Sequence, residues 1–592
     1  MKISNKIKSM KKMMLFLIMP FFVACNDDFL EKKPLDKLSE EAVFASAQLM
    51  EQYVNALYDV VPHPFTEGSL AACTDEAYFR FGGTSCNRIS RGELTADNVI
   101  FESNGGTFHN LRMTFLPLWS RIFPYLRNMN VFLERVDDAA VDDLAKKRLK
   151  GEVLFLRAWT YSNMLVRYSG IPIIDKPFQL GDEYNATRDN FDDCVTFIIK
   201  DLDDAILLLD NKSSVRGRVG ADACRALKAR TYLHAASPLF NDPQEPTGGI
   251  FKGKYDREKW KLARDAAKNL IDLGGYALAP VYEDHWTNIN SGEVIWGRFF
   301  DATTTTTSQG LYNAQLYYAP EPEGLGGWNS CKPVENLVAD YEMAATGKKP
   351  FEDGSGYDPE NPWAERDPRF YQCILTPGTV YMGKTIRIAS PAPGYTASND
   401  LWYAAAIGTE GTGYWLRKWV LEDETVSESI NTTRMYPWFR LAEIYLIYAE
   451  AALEYNDDVA ACAEYINKIR DRADVKMPFV DDHLSPADMR KKLIQERRIE
   501  LAFENHRYFD LRRWKLAPIY EGSMIYGITA LKYEDGSVTY NIAKPGANGA
   551  PDFSAARAML AYRNFEPQHY LMPVPSDEVR KSEGLIVQNP NY

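Results

Sequence analysis

The sequence predicts a mostly α-helical protein in which stacked helix pairs form a scaffold and irregular, loop-rich excursions with short β-strands interrupt it. Three observations carry this. Apolar and small residues recur at spacings of three and four in segment after segment, which is the mark of one buried helix stripe. Alanines fall where two such helices would face each other. Between roughly residues 276 and 428 the periodicity fails, and Pro, Gly, Thr and aromatic residues take over.

Residues 1–24 read as a targeting segment outside the fold. Lys2, Lys6, Lys8, Lys11 and Lys12 precede an apolar core, Met13 to Val23, too short to stay in a bilayer as a spanning helix. Phe22-Val23-Ala24-Cys25 resembles a bacterial lipoprotein cleavage box, so Cys25 is the expected acylation site and residues 25–38 the tether. Cleavage takes away five lysines and no acid, moving the formal charge from −13 to −18. A surface this acidic argues against nucleic acid and against anionic lipid headgroups as the main partner. The membrane is then met through the lipid alone.

The folded part is expected over 39–592, with helical scaffold at about 39–275 and 429–515, a ligand-side insertion at about 276–428, and an irregular end over 516–592. Helical patterns cover Ser39–Tyr58, Leu118–Val136, Leu149–Tyr168, Phe191–Leu209, Ala221–Ala236 and Trp260–Leu273. A further pattern starts at Trp438. Its apolar stripe is Leu441, Ile444, Tyr445, Tyr448, Ala449 and Ala452, and Asn456-Asp457 offers a break and a cap. The next helix turns Val459, Cys462, Ala463, Ile466 and Ile469 inward. Ser485-Pro486-Ala487-Asp488 then combines a cap, a first-turn Pro and a carboxylate three residues on, and opens a helix expected to run through Asn505. ALKARTYLHAA and LAEIYLIYAEAA share one alternation of aromatic, Leu and Ala. It resembles tetratricopeptide repeats without their strict period.

Several ordered blocks are more specific. GEVLFLRAW, KPVENLVADYEM, AERDPRFYQCIL, GYWLRKW, RLAEIYLIYAEA, ERRIELAFENHRYFDLRRW and the closing HYLMPVPSDEVRKSEGLIVQNPNY together resemble the SusD/RagB family of outer-membrane nutrient-binding lipoproteins. Acidic Asp27 and Asp28 after Cys25 are similar to the surface-export signal of Bacteroidetes lipoproteins. The resemblance implies a lipid-anchored, surface-exposed protein of the outer membrane. It would capture an oligosaccharide and deliver it to a SusC-like TonB-dependent transporter. A peptide ligand, as in RagB-type relatives, is the alternative within binding proteins. A surface glycoside hydrolase and a purely structural helical adaptor are the rivals from other classes.

For catalysis the residues offer little. No H-E-x-x-H, G-x-S-x-G or phosphate-loop pattern occurs, no cofactor motif is found, and the seven His are scattered. Glu496 and Glu500 stand one helical turn apart, as a glycosidase pair would. Yet Arg497, Arg498, Arg507, Arg512 and Arg513 crowd them, which favours ionised, paired carboxylates over a general acid. His234 reads as a core histidine. Beyond Cys25 there are seven cysteines without zinc-site spacing, and Cys73 and Cys86 bracket one loop that a disulfide could close.

Binding is better supported. Sugar rings stack their C–H faces on aromatic rings while their hydroxyls need amide, carboxylate or guanidinium partners. Thr74–Phe81 offers Asp75, Arg80 and Phe81, and 312–329 offers Tyr312, Tyr317, Tyr318, Trp328 and Asn329. Family members form their ligand face from loops of these regions. That implies Trp328 with Tyr317 or Tyr318 as stacking residues and Arg80 and Asp75 as polar partners.

Overall fold

The computed structural model describes residues 40–62, 69–79, 85–97, 119–179, 181–182, 185–300, 319, 327, 330–386, 389–393, 411–423, 433–560 and 562–592. Among the described residues ten helices carry the scaffold: α1 (Ala47–Leu57), α2 (Trp119–Arg135), α3 (Asp143–Tyr168), α4 (Phe191–Leu208), α5 (Ala221–Ala236), α6 (Glu258–Leu273), α7 (Leu441–Asn456), α8 (Val459–Arg470), α9 (Pro486–Glu500) and α10 (Arg507–Arg513). From α2 to α6 each helix packs on the next. The stack then continues from α6 directly onto α7, so the chain between them is looped out of an unbroken row of helices. Ala449, Ala452 and Ala463, all at most 1 % exposed, let α7 and α8 approach closely. No helix among the described residues is long and apolar enough to cross a membrane.

Three boundaries differ from expectation for identifiable reasons. Helix α3 begins six residues before the predicted Leu149, because the Asp142 carboxylate accepts the Ala145 N–H at 2.8 Å. Its opening residues, Asp143–Arg148, are mostly polar and leave Leu144 exposed, so they carry no buried apolar stripe. Helix α7 begins at Leu441, not Trp438, since Arg434–Arg440 is a strand. Helix α9 starts where predicted, with the Ser485 hydroxyl accepting the Asp488 N–H at 3.1 Å, but ends at Glu500. Phe503 and Asn505 then turn into the left-handed region (φ 62° and 66°). Side chains take the carbonyls freed there. Tyr282 and Arg440 bond that of Glu500 at 2.8 and 2.7 Å, and Lys418 bonds that of Ala502 at 3.0 Å. Trp419 bonds that of Phe503 at 3.2 Å.

Four strands matter for placement: β1 (Ala77–Phe79), β2 (Val294–Phe300), β3 (Cys331–Pro333) and β4 (Arg434–Arg440). β2 and β4 pair antiparallel from Val294↔Arg440 to Phe300↔Arg434, tying the two ends of the looped-out segment together. This ribbon lies on α3, where Trp159 meets Trp438 at 4.8 Å and Trp296 at 5.5 Å between ring centres. Burying an aromatic of this size is worth roughly 4–6 kcal/mol at ~25 cal/mol per Å². The chain's end is fastened back: the Arg188 guanidinium bonds the carbonyls of Gly170 and Val587, both at 2.7 Å, and Asn589 Oδ1 at 2.9 Å.

Candidate functional site

Two of the stretches singled out for binding are joined by one small sheet. β1 and β3 pair antiparallel, with Ala77 opposite Pro333, Tyr78 opposite Lys332 and Phe79 opposite Cys331. The chain therefore leaves the ribbon toward residue 80 and enters it from residue 330 at the same end. Both strands have three residues, too short for a period-two pattern, so the pairing left no readable signal in the sequence. Tyr78 and Phe79 are 4 % and 0 % exposed and serve as packing. At the open end the Asn87 side-chain amide donates to the Phe79 carbonyl at 3.0 Å. Gly327 crosses Ala319 so closely that a Cβ there would strike the Ala319 carbonyl, which brings the two ends of the 320–326 stretch together.

Of the residues expected at a ligand face, Asp75 is described, and it is buried. Arg507 holds its carboxylate from Nε and Nη2, both at 3.0 Å, and Arg498 holds it from Nη1 at 2.8 Å. Arg498 reaches on to Asp340 at 2.7 Å. Although burial opposes ionisation, the two guanidiniums hold the Asp75 carboxyl well below the usual carboxylate range. A sugar hydroxyl could reach it only by displacing an arginine. Asp75 is therefore an anchor beneath the ribbon and not an open polar partner. Arg80, Phe81, Tyr312, Tyr317, Tyr318, Trp328 and Asn329 lie outside the described residues, as do Cys25 and the Thr run 303–307. Cys73 and Cys86 both carry free, buried thiols.

The candidate glycosidase pair is committed elsewhere. Glu496 bonds Arg369 at 2.6 Å and Arg470 at 2.9 Å, while Glu500 meets Arg369 at 2.9 Å, Arg440 at 2.7 Å and Arg472 at 2.8 Å. Arg440 and Arg472 also share Glu293, at 2.8 and 2.7 Å. Arg440 and Lys418 meet on Glu504, at 2.7 and 2.8 Å, with His285 Nε2 at 3.3 Å. Despite desolvation, Arg472, Arg440 and Arg369 lower the Glu500 carboxyl to about 2. The Glu500 carboxyl therefore holds no proton to give to a leaving group near neutral pH, and Glu496 is tied up by two guanidiniums. The arginines beside these glutamates in sequence pair with other acids: Arg497 with Asp510, Arg512 with Glu521, Arg513 with Glu450. The most recognisable motifs thus encode a buried ion-pair lattice.

Other polar features are built into the fold. Half-buried His234 faces the Phe509 ring at 6.2 Å, and desolvation with Arg513 nearby holds it neutral. A groove of about 700 Å³ lies along α2, α3 and α4, but the Arg157 guanidinium in its wall is taken up by Asp201 (2.7 and 2.8 Å) and Asn130 (2.8 Å). One trio among the described residues, Asp481, Asp482 and His483, could reach a metal ion, and all three are exposed.

Comparison with known proteins gives a consistent result. The model of the SusD family matches residues 292–592, and a model described as starch-binding and associating with the outer membrane matches residues 28–233. A SusD-like protein of Bacteroides ovatus is 23 % identical, with 96 % of this chain and 94 % of that one covered. A SusD-like protein of Formosa agariphila is 22 % identical over 99 % of this chain and 98 % of its own. Among solved structures, a SusD-like protein of Bacteroides fragilis superposes with a TM-score of 0.73 at 23 % identity, covering 95 % of this chain and all of that one. A laminarin-binding SusD-like protein superposes at 0.61 and 19 % identity, covering 92 % of this chain and 99 % of that one.

Proposed function

Because this chain belongs to the SusD family, we propose that it is a surface lipoprotein that captures an oligosaccharide and hands it to a SusC-like TonB-dependent transporter in the outer membrane. The observation that carries the reading is the β1–β3 ribbon, which attaches two aromatic-bearing stretches of the sequence at one end. Phe81, Tyr312, Tyr317, Tyr318 and Trp328 supply ring faces for sugar C–H surfaces, and Arg80 and Asn329 supply partners for hydroxyls. The starch-binding description of one matching family model and the laminarin-binding neighbour support a glycan over other nutrients. Acylation at Cys25 holds the protein to the outer membrane.

The protein binds without breaking a bond. The candidate carboxylate pair Glu496 and Glu500 is saturated by arginines, and the role requires only differential affinity for open and ligand-closed states. The test is Trp328→Ala, titrated with starch and laminarin oligosaccharides by calorimetry. Losing one central aromatic of about 2 kcal/mol weakens binding roughly 30-fold. Unchanged affinity removes Trp328 from the site. Binding of peptides and of no glycan overturns the oligosaccharide reading.

A further inference from the structure

We infer that Cys73 and Cys86 are joined by a disulfide in the exported protein, closing into a ring the stretch of sequence that includes Arg80 and Phe81. Cys73 ends the short 3₁₀ turn Leu70–Cys73, and Cys86 lies in the short helix Ser85–Ser90. Turn and helix pack on each other and both pack on β1. The two thiols are 0 % and 1 % exposed, and Cys86 Sγ donates at 3.8 Å to the carbonyl of Ser69, the cap of the turn that ends at Cys73. A third thiol, Cys331 of β3, stands beside them at 1 % exposure.

Chain order selects the pair. Cys73 and Cys86 are thirteen positions apart, whereas Cys331 comes 245 positions after Cys86. The entropy cost of closing a loop rises with its length, and the short loop is complete long before Cys331 is synthesised. Timing follows from burial. In the folded chain the neighbouring Cys73 thiol and burial push the Cys86 thiol well above its ordinary range, so no thiolate is ready to attack. The bond therefore forms while the segment is still open and is shielded from reductant afterwards.

Two thiols give up two protons and two electrons as the S–S bond forms. The electrons reduce one disulfide of a thiol oxidase of the cell envelope, or glutathione disulfide in vitro, to two thiols. Oxidation in the cell rests on the export reading above; the pairing of the sulfurs does not. The bond would make one wall of the proposed ligand site a closed ring and restrict the unfolded chain there.

The test uses two preparations of the mature chain: one exported and extracted from the membrane, the other made reduced and refolded in glutathione buffer. Each is denatured, labelled with iodoacetamide and digested with trypsin, which cuts after Arg80 and Arg88. The expected result is label on five of the seven cysteines beyond residue 25, with a peptide ending at Arg80 cross-linked to 81–88. Cys331→Ala keeps that cross-link and Cys86→Ala abolishes it. Seven labelled cysteines in the refolded chain, or a cross-link from Cys73 to Cys331, overturns the proposal. A bridge in the refolded chain alone upholds the pair and counts against export.

Discussion

Replacing Glu500 with Gln tests the buried ion lattice at its most connected point. The carboxylate is 0 % exposed and takes bonds from Arg369, Arg440 and Arg472 at 2.9, 2.7 and 2.8 Å. Its pKa falls from 4.5 to about 2. At about 1.36 kcal/mol per unit, the charged form gains about 3 kcal/mol on folding. The folded value lies below the unfolded one, so this stabilisation is complete above about pH 4.5 and is lost as the pH falls toward 2. Removing one partner of a buried pair costs about 3–5 kcal/mol, which brackets the same figure. With unfolding entropy of ~2.1 cal/mol/K per residue over roughly 550 residues, each kcal/mol shifts the melting point by about 1 °C. Glu500→Gln should therefore melt about 3–5 °C lower at pH 7 by scanning fluorimetry, with a gap that shrinks at pH 3. Asp204→Asn, which breaks the exposed Lys200–Asp204 pair (70 % and 45 % exposed), should stay within about 0.5 °C of the parent. Equal melting of the two variants, or a Glu500→Gln gap independent of pH, would refute the reasoning.

Two further substitutions probe other parts of the fold. Glu76 has one carboxylate oxygen without a hydrogen-bond partner, and burial raises its pKa to about 7. Its folded pKa exceeds the unfolded 4.5, so its favourable contribution is present below pH 4.5 and lost as the pH rises through 7; Glu76→Gln should melt a few degrees above the parent at pH 8 and level with it at pH 4, and a lower melting point at pH 8 contradicts this. Gly170 donates to the Ile250 carbonyl at 2.7 Å, and a Cβ there would sit 2.7 Å from that oxygen and strike the Asp189 carbonyl. Since backbone must shift to make room, Gly170→Ala should cost about 2–3 kcal/mol, read as a melting drop of at least 2 °C, and an unchanged melting point means the contact is relieved cheaply.

Helices were legible in the sequence wherever burial was one-sided or small residues marked a contact, as at Ala449, Ala452 and Ala463. The opening of α3 was not, because its cap and not a buried apolar pattern starts it. Nor was the strand Arg434–Arg440, whose partner lies 140 residues earlier in the chain. Charges at Glu496 and Glu500 were legible as ion-paired, but their partners were not. Local spacing points to Arg497 and Arg498, whereas Arg369 comes from a short helix 131 positions before Glu500 and Arg440 from the end of β4. Asp75 reads like a ligand group from its aromatic neighbours. Only the fold reveals that Arg498 and Arg507 arrive from more than 400 residues away to bury it. The β1–β3 pairing is likewise a long-range fact without a local signal.

In the proposed role a helical frame presents aromatic stretches of the chain that hold a glycan and leave it intact. Calorimetric titration of the mature, unmutated protein against panels of oligosaccharides and peptides, followed by chromatography of the recovered ligand, tests it most directly. The account predicts saturable binding to a glycan that is recovered uncut. Binding to peptides alone, or recovery of shortened sugars, would contradict it.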